Sequence, residues 1–189
     1  KRAKRNALEI ESSEPILRIN NIGEVEAINL SRRMFAHQMI EEAMIAANIC
    51  AIMFVKSSLE ISINRFHDKP DADKLLALFE KFQSFGLKKS DDPIILLQRC
   101  IEIAKRSENA TSLQSLILQG LPRAIYSSKK SGHFGLQLEE YSHFTSPIRR
   151  YPDLIIHRLI KSILKKEKVY FDEEAFEEEC GNLSDLEKR

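Results

Sequence analysis

Apolar and polar residues alternate over 8–19, LEIESSEPILRI, on either side of Ser12-Ser13-Glu14-Pro15, a pattern that predicts a hairpin. Asn20-Asn21-Ile22-Gly23 reads as a second turn, with Glu24 to Asn29 as another short strand. The period then lengthens. Ser31 is placed to cap a helix reaching about Phe54, with Ile40, Met44, Ala47 and Ala51 on one face. Beyond Ala43 that helix is apolar nearly all round, which predicts burial on several sides. Leu59 to Phe66 alternates and reads as β, and helices follow over 71–85 (closed by Gly86), 93–105 and 110–119. Arg123 to Tyr126 is a short strand and Ser127 to Gly135 a loop; Ser146-Pro147 opens a helix to about Lys166. Pro152 is expected to kink or restart that helix one turn on. The class is α+β, helix-rich, with short antiparallel strands and long buried helices.

Composition narrows the function less than the pattern does. Lys and Arg number 29 against 28 Asp and Glu, so any nucleic-acid contact must come from local patches. Basic clusters lie at the N-terminus and over 158–168, facing an acidic run from Asp172 to Glu179 that reads as a solvated helix face or linker. Cys50, Cys100 and Cys180 are far apart, which favours reduced thiols over a disulfide framework or a zinc site. No apolar run reads as a membrane span and no signal peptide is visible, so no membrane partner is expected. The chain opens in KRAKR without a starting Met and is expected to be a fragment. Ser184 and Glu187 match a capping box for a further helix that would be cut off after nucleation.

The densest candidate chemistry lies in HFTSPIRRYPDL, from His143. A helix N-terminus offers free N–H groups and partial positive charge to an anion. Arg149 and Arg150 beside it can grip phosphate oxygens with bidentate hydrogen bonds. Paired arginines on a basic helix are more commonly solvated or salt-bridged. A second polar feature is the stripe His37, Glu41 and Asn48, spaced four and seven residues apart on one helical face, with Glu42 beside it. A carboxylate in so apolar a helix needs a partner: an internal network, a salt bridge to an arginine such as Arg65, or a ribose hydroxyl.

HFTSPIRRYPDL resembles the signature of the ribonuclease II/ribonuclease R family of processive 3′-to-5′ exoribonucleases, and the SPIRRYPDL form is more like ribonuclease R. AHQMIEEAMIAANICA resembles the family helix whose glutamate contacts RNA near the scissile end. RFHDKP from Arg65 and GHFGL from Gly132 resemble two family loops, all in family order. The resemblance implies the C-terminal portion of an RNB catalytic domain over 1–189, hydrolysing RNA to nucleoside 5′-monophosphates in the whole enzyme. It implies Arg149 as catalytic residue on the scissile phosphate. Glu41 or Glu42, Asn48, Arg65, His133, Thr145, Ser146 and Arg150 are implied RNA contacts, with an internal carboxylate as an alternative partner for Arg150. Further implied are Mg²⁺ held by an acidic D-x-x-x-x-x-D-x-D-D motif outside this chain, flanking cold-shock and S1 domains, a cytoplasmic monomer, and single-stranded or 3′-tailed structured RNA as partner. The isolated chain is expected to be inactive. Ile10 and Asn64 stand where family members carry aromatics, which weakens base stacking there. Two other readings are a non-catalytic RNA-binding module that keeps the phosphate clamp, and a structural helical domain.

Overall fold

The computed structural model describes residues 3–10, 15–30, 34–170 and 172–188. Strand β1 (Pro15–Ile19) pairs antiparallel with β2 (Val25–Leu30), with a register shift at Arg18/Ile19. The turn between them is built by Asn20, whose Oδ1 accepts the N–H groups of Ile22 and Glu24 at 3.0 and 2.9 Å, while Gly23 takes φ +85°. The hairpin is therefore 15–30, closed by the second turn, and residues 7–10 are not a strand. Pro15 lacks the N–H a central strand position needs, so it begins a strand, while Leu8 and Ile10 pack on a helical core instead. The Ser12–Glu14 turn and the Ser31 cap lie outside the described residues.

Helix α1 (Phe35–Lys56) begins at Met34, whose N–H is accepted by His37 Nδ1 at 3.1 Å. It buries Ile45, Asn48, Ala51, Ile52 and Val55, but leaves Phe35, Met39, Ile40 and Met53 exposed. The expected burial on several sides is thus one buried stripe, because its principal helical neighbour is α5. Contrary to the reading of the sequence, α1 is long and apolar enough to cross a membrane by length and composition, its best window reaching a hydropathy of 1.5. Its hydrogen-bonded Asn48 and its packing against α5 fit a core helix equally well.

Strand β3 (Asn64–Phe66) pairs antiparallel with β4 (Ile125–Ser127); residues 59–63 enter it as irregular chain rather than as the expected longer strand. Between the two strands lie α2 (Ala72–Gln83), α3 (Pro93–Arg106) and α4 (Ala110–Gly120), where the spacing predicts them. They enclose one core around Phe82, Leu97, Cys100 and Ile117. A second core joins α1 and β4 to α5 (Tyr151–Lys165) and α6 (Glu173–Leu186) through Ile52, Val55, Ile63, Ile156 and Cys180. Burial pushes both Cys100 and Cys180 thiols up to about 12, so they stay protonated.

The acidic run is α6, started by Asp172, whose Oδ1 accepts from Glu174 and Ala175 N–H. Ser184 is inside this helix rather than at the start of another, its Oγ accepting the Tyr126 N–H at 2.8 Å. Glu177 reaches back to β4 and accepts from Ser127 Oγ, Ser128 N and Ser128 Oγ. Burial opposes its charge, but the Ser128 and Ser127 hydrogen bonds outweigh that and hold its carboxyl below the usual range. Asn64 is buried, giving its Nδ2 to Ser127 O. Positions 10 and 64 both face protein interior, so neither supplies a stacking surface here.

Histidines line the seam between the cores. His67 Nε2 donates to Pro122 O at 2.9 Å and its Nδ1 accepts the Gly135 N–H at 3.0 Å, which fixes a neutral tautomer. A side chain at Gly135 would begin 3.0 Å from that ring, closer than ordinary contact, and would press the imidazole back. His133 Nδ1 accepts the Leu136 N–H, and its ring meets His67 and Tyr141 edge-on at 4.8 and 5.3 Å. Burial lowers the His67 pKa, and burial plus the neighbouring His67 brings His133 down to about 3. His143 is likewise brought down to about 3, by burial and then by Arg150.

These groups are neutral when folded and titrate near 6.5 when unfolded, so the unfolded chain takes up more protons as pH falls. Stability should be intact above about pH 6.5 and decline progressively toward pH 3, where protonation of His133 also removes the acceptor of the Leu136 N–H. Urea unfolding of the chain across that range should register a progressive loss of stability toward the acid end. Flat stability from pH 7 to 4 would contradict it.

Candidate functional site

The site is organised by a carboxylate that the sequence did not single out. Asp153 is 0% exposed. Its Oδ1 accepts the Ser146 N–H at 2.7 Å and Arg150 Nη2 at 2.8 Å, and its Oδ2 accepts Arg150 Nε at 2.8 Å. Ser146 does not open the helix. Residues 146–150 form a turn in which the N–H groups of Arg149 and Arg150 both reach Ser146 O, at 3.3 and 3.1 Å. Helix α5 starts only at Tyr151, with Arg150 as its cap residue and Pro152 in its first turn. Proline is tolerated in the first turn of a helix, where its missing N–H has no intrahelical partner to lose, so Pro152 fits a helix that begins here. The expected kink or restart at Pro152 is thus replaced by a single helix start at Tyr151.

The consequence is a division of labour between the arginines. Arg150 is turned inward on an internal carboxylate, the second of the two roles its sequence position left open. Arg149 is exposed and makes no ion pair or hydrogen bond through its guanidinium among the described residues. Ile148 beside it is fully exposed. The turn thus presents Ile148 and Arg149 to solvent and withdraws Arg150.

Asn48 supports the turn from α1. At 3% exposure, it accepts the Phe144 and Thr145 N–H groups on Oδ1 at 3.0 and 3.2 Å and donates Nδ2 to Tyr141 OH at 3.0 Å. Asn48, an implied RNA contact, has its amide buried and committed to the loop that carries Thr145. Thr145 Oγ1 is buried without a hydrogen-bond partner among the described residues. His157 Nε2 pairs with Phe144 O at 2.9 Å beneath it, and the two rings stack at 4.2 Å.

The remaining predicted residues fall into two places. Glu41 and Glu42 are half-buried on α1, toward its N-terminus from Asn48, and the structure does not single out either. Arg65 pairs with Glu187 of α6's C-terminal end through Nη1 and Nη2 at 2.5 and 3.0 Å, and lies over the Tyr126 ring at 4.6 Å. Its side chain is 13% exposed, and its carboxylate partner is Glu187, not Glu41. His133 is in the histidine seam. That seam meets the turn through Tyr141, which bonds Asn48, and through His143, whose Nδ1 is 2.9 Å from Tyr126 OH. Burial pushes the Tyr126 phenol up to about 12, so it remains a neutral partner. Residues 48, 145, 146, 149 and 150 are therefore brought together, while 65 and 133 form a neighbouring layer.

The acids present do not fit a magnesium site. Among the described residues no group of three or more His, Cys, Asp or Glu is arranged to hold a metal ion. Asp71 pairs with Lys74, Asp92 caps α3 through the Ile94 N–H, Asp172 caps α6, and Asp153 is spent on Arg150. The cue for Asp153 was its place three residues after Arg150, one helical turn apart.

Residues 1–166 match the RNB domain. Ribonuclease R of Escherichia coli K12 is 39% identical over 171 residues, covering 88% of this chain and 21% of that protein. The Thermotoga maritima ribonuclease R is 38% identical over 181 residues, 93% of this chain and 25% of that protein. The chain thus spans about a fifth to a quarter of the length of these relatives. Mycoplasma genitalium RNase R in its apo form superimposes with a TM-score of 0.82 at 26% identity, over 97% of this chain and 30% of that one. The same enzyme has been solved with ribose methylated single-stranded RNA and with double-stranded RNA. Yeast Ssd1, a pseudonuclease, superimposes with a TM-score of 0.67 at 25% identity over 82% of this chain and 20% of that one. The fold is therefore that of a known group, and the chain belongs to the RNB ribonuclease family.

Proposed function

We propose that this chain is part of a 3′-to-5′ exoribonuclease that processively hydrolyses single-stranded RNA, or the 3′ tail of structured RNA, to nucleoside 5′-monophosphates. The observation that carries this reading is the exposed Arg149 guanidinium on a turn whose other arginine is already neutralised by Asp153. An unpaired guanidinium in a fixed turn can bind the scissile phosphate and stabilise the charge that builds there in the transition state. Thr145, whose hydroxyl has no partner among the described residues, and Glu41 or Glu42 would orient the terminal nucleotide; a contact to the 2′-OH distinguishes RNA from DNA. Mg²⁺ would be held by carboxylates elsewhere in the protein, and the active form would be a cytoplasmic monomer. RNA in the complexes of the M. genitalium enzyme supports RNA as the partner.

A second reading is a non-catalytic RNA-binding protein, favoured by the likeness to the pseudonuclease Ssd1. The two differ in one assay. Release of nucleoside monophosphates that requires Mg²⁺ belongs to the first; RNA binding that weakens with salt and yields no product belongs to the second.

In the complete protein, Arg149→Ala should lower the single-turnover rate roughly 10²–10³-fold, the cost of losing one preorganised transition-state donor, with RNA affinity falling far less. A rate close to wild type would remove Arg149 from the reaction. The 189 residues alone should release no nucleotide from a 3′-labelled RNA; any Mg²⁺-dependent release would show that this chain holds a complete centre.

A further inference from the structure

We infer that Asp153 is the positioning residue for Arg149, acting through the 146–150 turn; the inference rests on the phosphate-binding reading of Arg149. A long, mobile side chain delivers its charge to a fixed point only if its backbone is fixed. Among the described residues the Arg149 guanidinium makes no hydrogen bond or ion pair that would hold it, so its placement depends on the turn. Pro147 has no N–H to give, and Ile148 is fully exposed and packs on nothing. The turn's two internal hydrogen bonds converge on a single carbonyl, Ser146 O.

What joins the ends is the Asp153 carboxylate, which takes the N–H of Ser146 at one end and the guanidinium of Arg150 at the other. Each bond carries charge on at least one partner, and such bonds are about twice as strong as neutral ones. Asp153 also stands in the first turn of α5, where the helix N-terminus favours an anion. Arg150 is thereby neutralised and directed inward. Without that tie the two guanidinium groups would be free to repel each other and to compete for the same phosphate. Asn48 anchors the preceding residues to α1, but its hydrogen bonds go to Tyr141, Phe144 and Thr145 and not to the turn itself, so it does not substitute for Asp153.

A double-mutant cycle in the complete protein separates positioning from bulk stability. Asp153→Asn keeps the shape and an acceptor for Ser146 but presents an N–H₂ to Arg150. With Arg149 present it should lower the single-turnover rate at saturating RNA roughly 10–100-fold, the scale of a small misplacement, with Kd for RNA within about threefold. In an Arg149→Ala background the same change should alter the residual rate by less than about threefold. Equal losses in both backgrounds would mean a general structural role and would overturn the inference. A wild-type rate for Asp153→Asn alongside a slow Arg149→Ala would overturn it and leave Arg149's role intact. A wild-type rate for Arg149→Ala would instead overturn the reading beneath it. If Asp153→Asn does not fold, Arg150→Lys runs the same cycle, since it keeps a cation on Asp153 but loses the two-pronged contact; the same outcomes apply.

Discussion

The bond set around Asp153 is the constraint on which the site depends. A carboxylate removed from water is costly unless its oxygens are filled. Here they are filled by one backbone N–H and two guanidinium N–H groups, all from residues within seven positions. The pair is therefore local in sequence yet buried in the tertiary structure, wedged between the start of α5 and the loop that Asn48 holds. A buried ion pair of this kind adds little net stability over an apolar replacement, but losing one partner strands the other at a cost of several kcal/mol. What such a pair supplies is geometry.

That geometry is tied to the rest of the molecule by two routes. Asn48 links the loop to α1, whose Ala51, Ile52 and Val55 pack in the core shared with α5 and α6. Tyr141, His143 and Tyr126 link it to the β3–β4 strand pair, where Arg65 meets Glu187 and Ser184 meets the Tyr126 backbone. Helix α6, beyond the family match, thus braces the layer next to the site. The α2–α4 unit has its own core and touches this network through the neutral histidines His67 and His133.

Much of the fold was legible in the sequence. Helices α2, α3 and α4 follow from amphipathic spacing, Gly86, Pro93 and the Gly120-Leu121-Pro122 stop, because local backbone chemistry decides where a helix begins and ends. The motif arginines and the family were readable for the same reason: their order and spacing are properties of the chain. The errors lay where local cues compete. Ser146-Pro147 is a good helix opening and Ser184-x-x-Glu187 a good capping box, but Asp153 claims the Ser146 N–H and Arg65 claims Glu187. The hairpin was misplaced because alternation marks strands without saying which turn joins which pair.

The sequence by itself determined the family, the helix-rich α+β class and the pairing of two arginines with different prospects. Which arginine faces solvent was decided only by tertiary structure, because that choice depends on where a buried carboxylate finds its donors. The same holds for Asn48 and Arg65, polar residues whose roles were set by partners 97 and 122 positions away. A polar side chain announces that it needs a partner; only the folded chain says which one it has.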